Sequence, residues 1–243
     1  MKKKLVPFFL FILGLSLFLY PHIAHYINDY GIQQDINRFQ MASAHPLDSN
    51  QKDELYDDML KYNQSLNENS ETTITDVFTD DIVASNPFYQ SDGTGKMSGS
   101  EGLAHSHLFG SSFYFYIHIP KINVELPIYV GESENNLLKG AVVVSGSSLP
   151  LGGSGTHAVL AAHRGAIQHR MFLHLDRLDK GDIFEVHTME GPLVYQVTGT
   201  KVVYPNEVDT LSIKKDKDLV TLVTCLKYPM NDRRLLVYGE RVH

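Results

Sequence analysis

A single cysteine, Cys225, stands among 243 residues, so no disulfide can close within the chain. An unpaired thiol outside the cytosol needs a reason to persist, and reactivity is one. Basic charge is not in excess either: the formal net charge is -7 and the sequence pI about 5.9. Proteins that bind phosphate backbones carry a basic surface, so a nucleic-acid partner is excluded. The 12 histidines fall into no recognised zinc spacing. His157 and His163 would stand about 20 Å apart along a strand, and His169 and His174 add nothing, so neither a metal nor a cofactor is expected. Pro150-Leu151-Gly152-Gly153-Ser154-Gly155 lacks the Gly-Lys-Ser/Thr ending of a phosphate loop and leads into a strand pattern, which makes it a hairpin turn. No internal repeat or low-complexity tract occurs. Hydrophobic content of 43% is ordinary for a globular protein, with room for one sizeable domain and an appendage.

What is present begins with a basic head, residues 1–4, followed by Leu5 to Tyr20 without a single charge. Extended through Ile23, the run is about 19 residues, roughly 28 Å as helix and close to the thickness of a hydrocarbon core. Tyr20, Pro21 and His22 occupy the place where a small-x-small cleavage site would fall, so residues 5–23 read as an uncleaved, single-pass signal anchor. Three lysines before the run and acidic sequence after it put the head inside and the remaining chain outside the cell membrane. Residues 24–69 have loosely helical spacing interrupted at Pro46, which predicts two helices with Ser49 as an N-cap. Residues 70–112 have no sustained period and are either functional or disordered. From residue 113 to 243 the pattern becomes eight short β-like runs between turn signals, the mark of an all-β sandwich or barrel. Glu134 to Lys139 and Ala166 to Leu178 are candidate short helices in the connections.

Chemistry concentrates in Thr221 to Arg234, TLVTCLKYPMNDRR. Cys225 ends one strand of a hairpin and Arg234 opens its return. Neighbouring strands lie about 4.8 Å apart, so thiol and guanidinium become neighbours. The alternative is a small buried cysteine and a surface arginine. His163 ends a separate strand in Ala161-Ala162-His163-Arg164-Gly165 and can both accept a proton from a thiol and return one to a leaving amine. Arg234 would then stabilise the oxyanion of a tetrahedral intermediate.

These motifs, together with Tyr116-Ile117-His118-Ile119-Pro120-Lys121 and Gly146-Ser147-Ser148-Leu149-Pro150, resemble those of sortases, the membrane-anchored cysteine transpeptidases of Gram-positive cell surfaces. The resemblance covers roughly residues 113–242. It implies a mainly β fold, an eight-stranded sortase-type β-barrel with N-terminal helices and a membrane anchor helix. It also implies Cys225, His163 and Arg234 as the catalytic set, with Thr224 and Leu222 supporting the substrate groove. Within the family the sequence is most similar to class C, the pilin-polymerising sortases, which cover the active site with a lid bearing an Asp-Pro-aromatic motif. Asn86-Pro87-Phe88 takes the matching place, with Asn86 where an Asp is usual, and this implies weaker closure. Class C members commonly carry a C-terminal membrane helix, whereas this sequence stops at His243, so anchoring by residues 5–23 alone is one expectation and further chain beyond His243 the other.

The implied partners are proteins with an LPxTG-like sorting signal, pilins among them, cleaved between Thr and Gly. The implied acceptor is a lysine amine of the next pilin or a cell-wall peptide amine. No carboxylate cluster demands calcium. The competing readings are a housekeeping-type sortase, a papain-like cysteine peptidase, and a non-catalytic pilus-assembly module.

Overall fold

The computed structural model describes residues 5–44, 49–68, 74, 76–78, 113–165, 171–226 and 232–242. The eight predicted β runs are all strands: β1 (Phe113–Ile119), β2 (Val124–Val130), β3 (Ala141–Val143), β4 (Thr156–Ala161), β5 (Ile183–Thr188), β6 (Gly191–Val203), β7 (Asp218–Cys225) and β8 (Arg234–Arg241). They close into one barrel in the order β1-β2-β3-β4-β7-β8-β6-β5. Two contacts in that ring are parallel, β2 with β3 and β4 with β7.

Side chains alternate across a strand, and the alternation builds two cores. Phe115, Ile117, Ile128, Leu160, Phe184, Tyr195, Leu222 and Val237 fill the barrel interior. The opposite faces of β3, β4, β7 and β8 contribute Val142, Val159, Ala161, Val223 and Leu236 to a second buried cluster. Strands buried on both faces read as continuous apolar runs rather than alternating ones, which is why β4 and the middle of β7 do.

Two helices precede the barrel, α1 (Leu5–Ala44) and α2 (Ser49–Glu68), followed by one turn of helix, α3 (Glu134–Leu137), after β2. The break predicted near Pro46 falls between α1 and α2, and α1 runs as a single helix through Pro21 and past residue 23. α2 turns Leu55 and Met59 into the barrel core. Its Asn63 satisfies both backbone groups of Leu149, donating from Nδ2 to the carbonyl at 2.9 Å and accepting from the N–H at 2.7 Å. Such pairing removes the penalty of burying either partner. The helix expected over 166–178 is, among the described residues, only a 3-10 turn at Leu175–Arg177. The glycines of 152–155 take φ of 75°, 109° and 78° in the connection between antiparallel β3 and β4, a left-handed region that favours residues without a Cβ.

Among the described residues no helix is long and apolar enough to cross a membrane. The large apolar side chains from Phe9 to Leu19 are nevertheless all exposed.

One close approach fixes the strand that carries Arg234. Gly239 of β8 lies over Phe184, and an added Cβ would come within 2.6 Å of two of its ring carbons and 3.2 Å of the Val220 carbonyl. Gly239→Ala is therefore expected to cost about 1–3 kcal/mol by overpacking, read as a lowered denaturant midpoint at unchanged m-value.

Candidate active site

Cys225 and Arg234 form the last antiparallel pair of β7 and β8. The bond from Leu226 N–H to the Arg233 carbonyl, 3.0 Å, holds the hairpin together just beyond them. On the other side of β7, parallel pairing sets Ala161 beside Val223, and the Ala162 N–H donates to the Val223 carbonyl at 3.1 Å. β4 ends at Ala161, and His163 follows two residues beyond that end, as Cys225 stands two residues beyond Val223. Ala161, Val223 and Leu236 share the second buried cluster. Cys225 and Arg234 each lie two residues along their strand from one of them, so period-two alternation turns both toward that same face, and His163, beyond the end of β4, meets Phe78, which packs on that cluster.

The same parity turns Leu222 and Thr224 to the other face of β7. Leu222 is fully buried in the barrel interior, facing away from the thiol. Thr224 is also fully buried, and its Oγ1 donates to the Ala162 carbonyl at 2.9 Å. It fastens β7 to the chain just past the end of β4. His157 lies between the Ser212 carbonyl (3.1 Å) and Thr221 Oγ1 (2.8 Å), and burial holds its pKa below the usual imidazole value. It is a structural histidine.

Arg234 is covered. Asp76 accepts from its Nε at 2.7 Å and its Nη2 at 2.6 Å, and both side chains are only 5% exposed. The Phe78 ring centroid is 5.2 Å from the Arg234 guanidinium carbon and 5.8 Å from the His163 ring centroid. Ile74 and Val77 belong to the cluster beneath. Asn86, Pro87 and Phe88 lie outside the described residues; among those described, Asp76 and Phe78 stand over the arginine. Asp76 supplies Arg234 with a carboxylate partner. Sequence reading missed it, although Asp76-Val77-Phe78 has an Asp-x-aromatic spacing without the proline. Arg164 was missed too: Nη2 donates to Asp176 at 3.0 Å and Nη1 reaches the Cys225 carbonyl at 3.5 Å.

The cover sets the resting protonation. Burial pushes the Cys225 thiol above its ordinary pKa; Arg234 pulls down, Asp76 adds to the rise and Arg164 opposes it. Burial pushes His163 below its ordinary value, with Glu134 opposing. At neutral pH both directions favour a neutral thiol beside a neutral imidazole over an ion pair.

The family model described as Sortase domain matches residues 117–242, which takes in all three of these side chains and more than half of the chain. The chain belongs to the sortase family. Among curated relatives, this sortase is 33% identical to Sortase A of Bacillus anthracis over 126 residues, 52% of this chain and 58% of that one. It is 30% identical to Sortase D of Bacillus subtilis over 131 residues, covering 52% of this chain and 62% of that one. The chain therefore spans less than two thirds of those relatives. Solved structures match further. Sortase C1 of the group B Streptococcus (GBS) Pilus Island 1 superposes with a TM-score of 0.70 at 30% identity, covering 87% of this chain and 92% of that one. Sortase C from Clostridium perfringens gives 0.64 at 35% identity, over 86% and 98%.

Proposed function

We propose that this sortase is a membrane-anchored cysteine transpeptidase of the pilin-polymerising kind, cleaving an LPxTG-like signal between Thr and Gly and joining the Thr carbonyl to an amine. The observation that carries the reading is the pairing of Cys225 with Arg234 across β7 and β8, with His163 and Arg234 both packed against the Phe78 ring. Its assignment to class C is supported by the sortase C structures and by an acidic and an aromatic side chain over the arginine.

The reaction starts from neutral partners. As Sγ bonds to the Thr carbonyl carbon, the thiol proton passes to His163 and the oxyanion is held by Arg234. Collapse breaks the C–N bond, and His163 gives its proton to the departing glycine amine, leaving a thioester. A lysine amine of a pilin, or a cell-wall amine, then attacks the thioester carbon, passes its proton to His163 and displaces the Cys225 sulfur as a thiol. The exposed apolar side chains from Phe9 to Leu19 support membrane insertion of the first half of α1, with the barrel outside the cell.

Incubating full-length protein in detergent with an LPxTG-type peptide, then adding candidate amines, tests the reading by intact mass. A thioester adduct followed by ligated product is expected. Hydrolysed acid alone, whatever amine is added, would make it a peptidase, and no adduct at all a non-catalytic module.

Because Arg234 must release Asp76 to meet a substrate oxygen, the 76–78 segment acts as a lid. Asp76→Asn removes a charge that raises the Cys225 pKa, and Phe78→Ala opens the face above His163. Alkylation of Cys225 by iodoacetamide at pH 7 is expected to run several-fold faster in both. In Asp76→Asn the midpoint of the rate against pH should move down. Rates equal to the parent protein's would show that the segment does not guard the thiol.

A further inference from the structure

Across the ring of strands from β7 stands β1, and its outward face carries a second group of titratable side chains. His118 pairs with Glu125 on β2 and with Glu185 on β5. His187 lies two residues beyond Glu185 on the same face of β5. One imidazole nitrogen from each histidine and one Glu185 oxygen all lie within 4.8 Å of one another. The individual separations are 2.8 Å from His187 Nε2 to Glu185 Oε2 and 3.9 Å from His118 Nδ1 to the same oxygen.

The ordinary explanation is a chain of side-chain hydrogen bonds. It serves His187, whose distance to Glu185 is a normal one. It does not serve His118, whose Nδ1 stands 3.9 Å from Glu185 and whose Nε2 stands 4.0 Å from Glu125 Oε1, both beyond hydrogen-bond range. A gap of that size between nitrogen and oxygen suits an ion bound at about 2.0–2.2 Å to each.

We propose that His118, Glu185 and His187 bind a divalent transition-metal ion of the zinc class, through His118 Nδ1, a Glu185 oxygen and His187 Nε2. Two imidazoles with one carboxylate match zinc and its neighbours and disfavour calcium or magnesium, which take oxygen ligands. Glu125 stands 4.0 Å from the other nitrogen of His118, the side on which an outer carboxylate would orient a metal-ligating imidazole, and Gln33 of α1 donates to the second oxygen of Glu125. The Tyr116 ring stacks on His187 at 4.2 Å with 9° between planes, and Tyr116 accepts a hydrogen bond from Gln40 of α1 at 2.9 Å. His118 and Glu125 line a pocket with Ile32 and Gln33 that gives solvent access. The site departs from the expectation of no metal, and it is independent of the transpeptidase reading.

The test uses untagged full-length protein in detergent, freed of metal and titrated with Zn2+ against a chromophoric chelator, and separately with Co2+. One strong site is expected, with visible Co2+ bands of low coordination number. His118→Ala and His187→Ala should each weaken Zn2+ binding by at least ~10-fold, the least that losing even an outer partner costs. Both should also erase the Co2+ bands and the rise in Tm that Zn2+ gives the parent protein. His163→Ala should keep all three. Glu185→Gln serves as a further ligand variant if either alanine variant loses its circular dichroism. Zn2+ affinity unchanged in the ligand variants, or equal displacement of Zn2+ by Ca2+, would overturn the proposal.

Discussion

Full-length Cys225→Ala is expected to keep its own mass after hours with an LPxTG-type peptide, and its transpeptidation should fall to the rate without enzyme. No second thiol exists to substitute for the missing one, and a methyl side chain cannot form the thioester through which cleavage and ligation are joined. Folding should survive, because Cys225 is only partly buried at the end of β7, and the change removes one sulfur without orphaning a charge. Measured by intact mass, peptide turnover and circular dichroism together, the expected result is a folded, inert protein. Turnover at the parent rate would remove the mechanism.

Arg234→Ala is expected to act twice. Losing the donor aimed at the oxyanion should lower kcat/KM by about 10²–10³, and Arg234→Lys should recover little, because an ammonium cannot reproduce the planar fork that holds Asp76 by two bonds. The same truncation strands the Asp76 carboxylate, and breaking a buried pair from one side costs about 3–5 kcal/mol when the other charge stays buried. The two effects separate in a double variant. Asp76→Asn added to Arg234→Ala should restore most of the stability and none of the activity, a coupling that a double-mutant cycle reads directly. Recovery of activity by the double variant would mean that Arg234 serves only to neutralise Asp76.

The barrel was legible because each strand is short, β-branched or aromatic, and bounded by turn residues, and the Cys225–Arg234 hairpin follows from a local turn. His163 needed only the end of one further strand. What escaped reading depends on parity and on distant pairing. Thr224 and Leu222 look like part of the motif because they adjoin Cys225, yet counting by twos puts Val223 on the thiol's face and sends Leu222 inward. Asp76 meets Arg234 across 158 positions of sequence, and a search for proline between acid and aromatic passes over Asp76-Val77-Phe78. In the cluster on β1, β2 and β5 only Glu185 and His187 are near in sequence: the register that sets His118 between Glu125 and Glu185 assembles the rest.

The two bonds from Asp76 to Arg234 make substrate a competitor of the protein's own chain. An internal carboxylate is always at hand, so the apparent dissociation constant of any peptide is its intrinsic value divided by the fraction of molecules already open. Under the proposed function, dilute free peptide loses that contest, while a sorting signal tethered to the same bilayer would arrive at high effective concentration and could win it. The enzyme would thereby discriminate by how a signal is delivered as well as by what it spells.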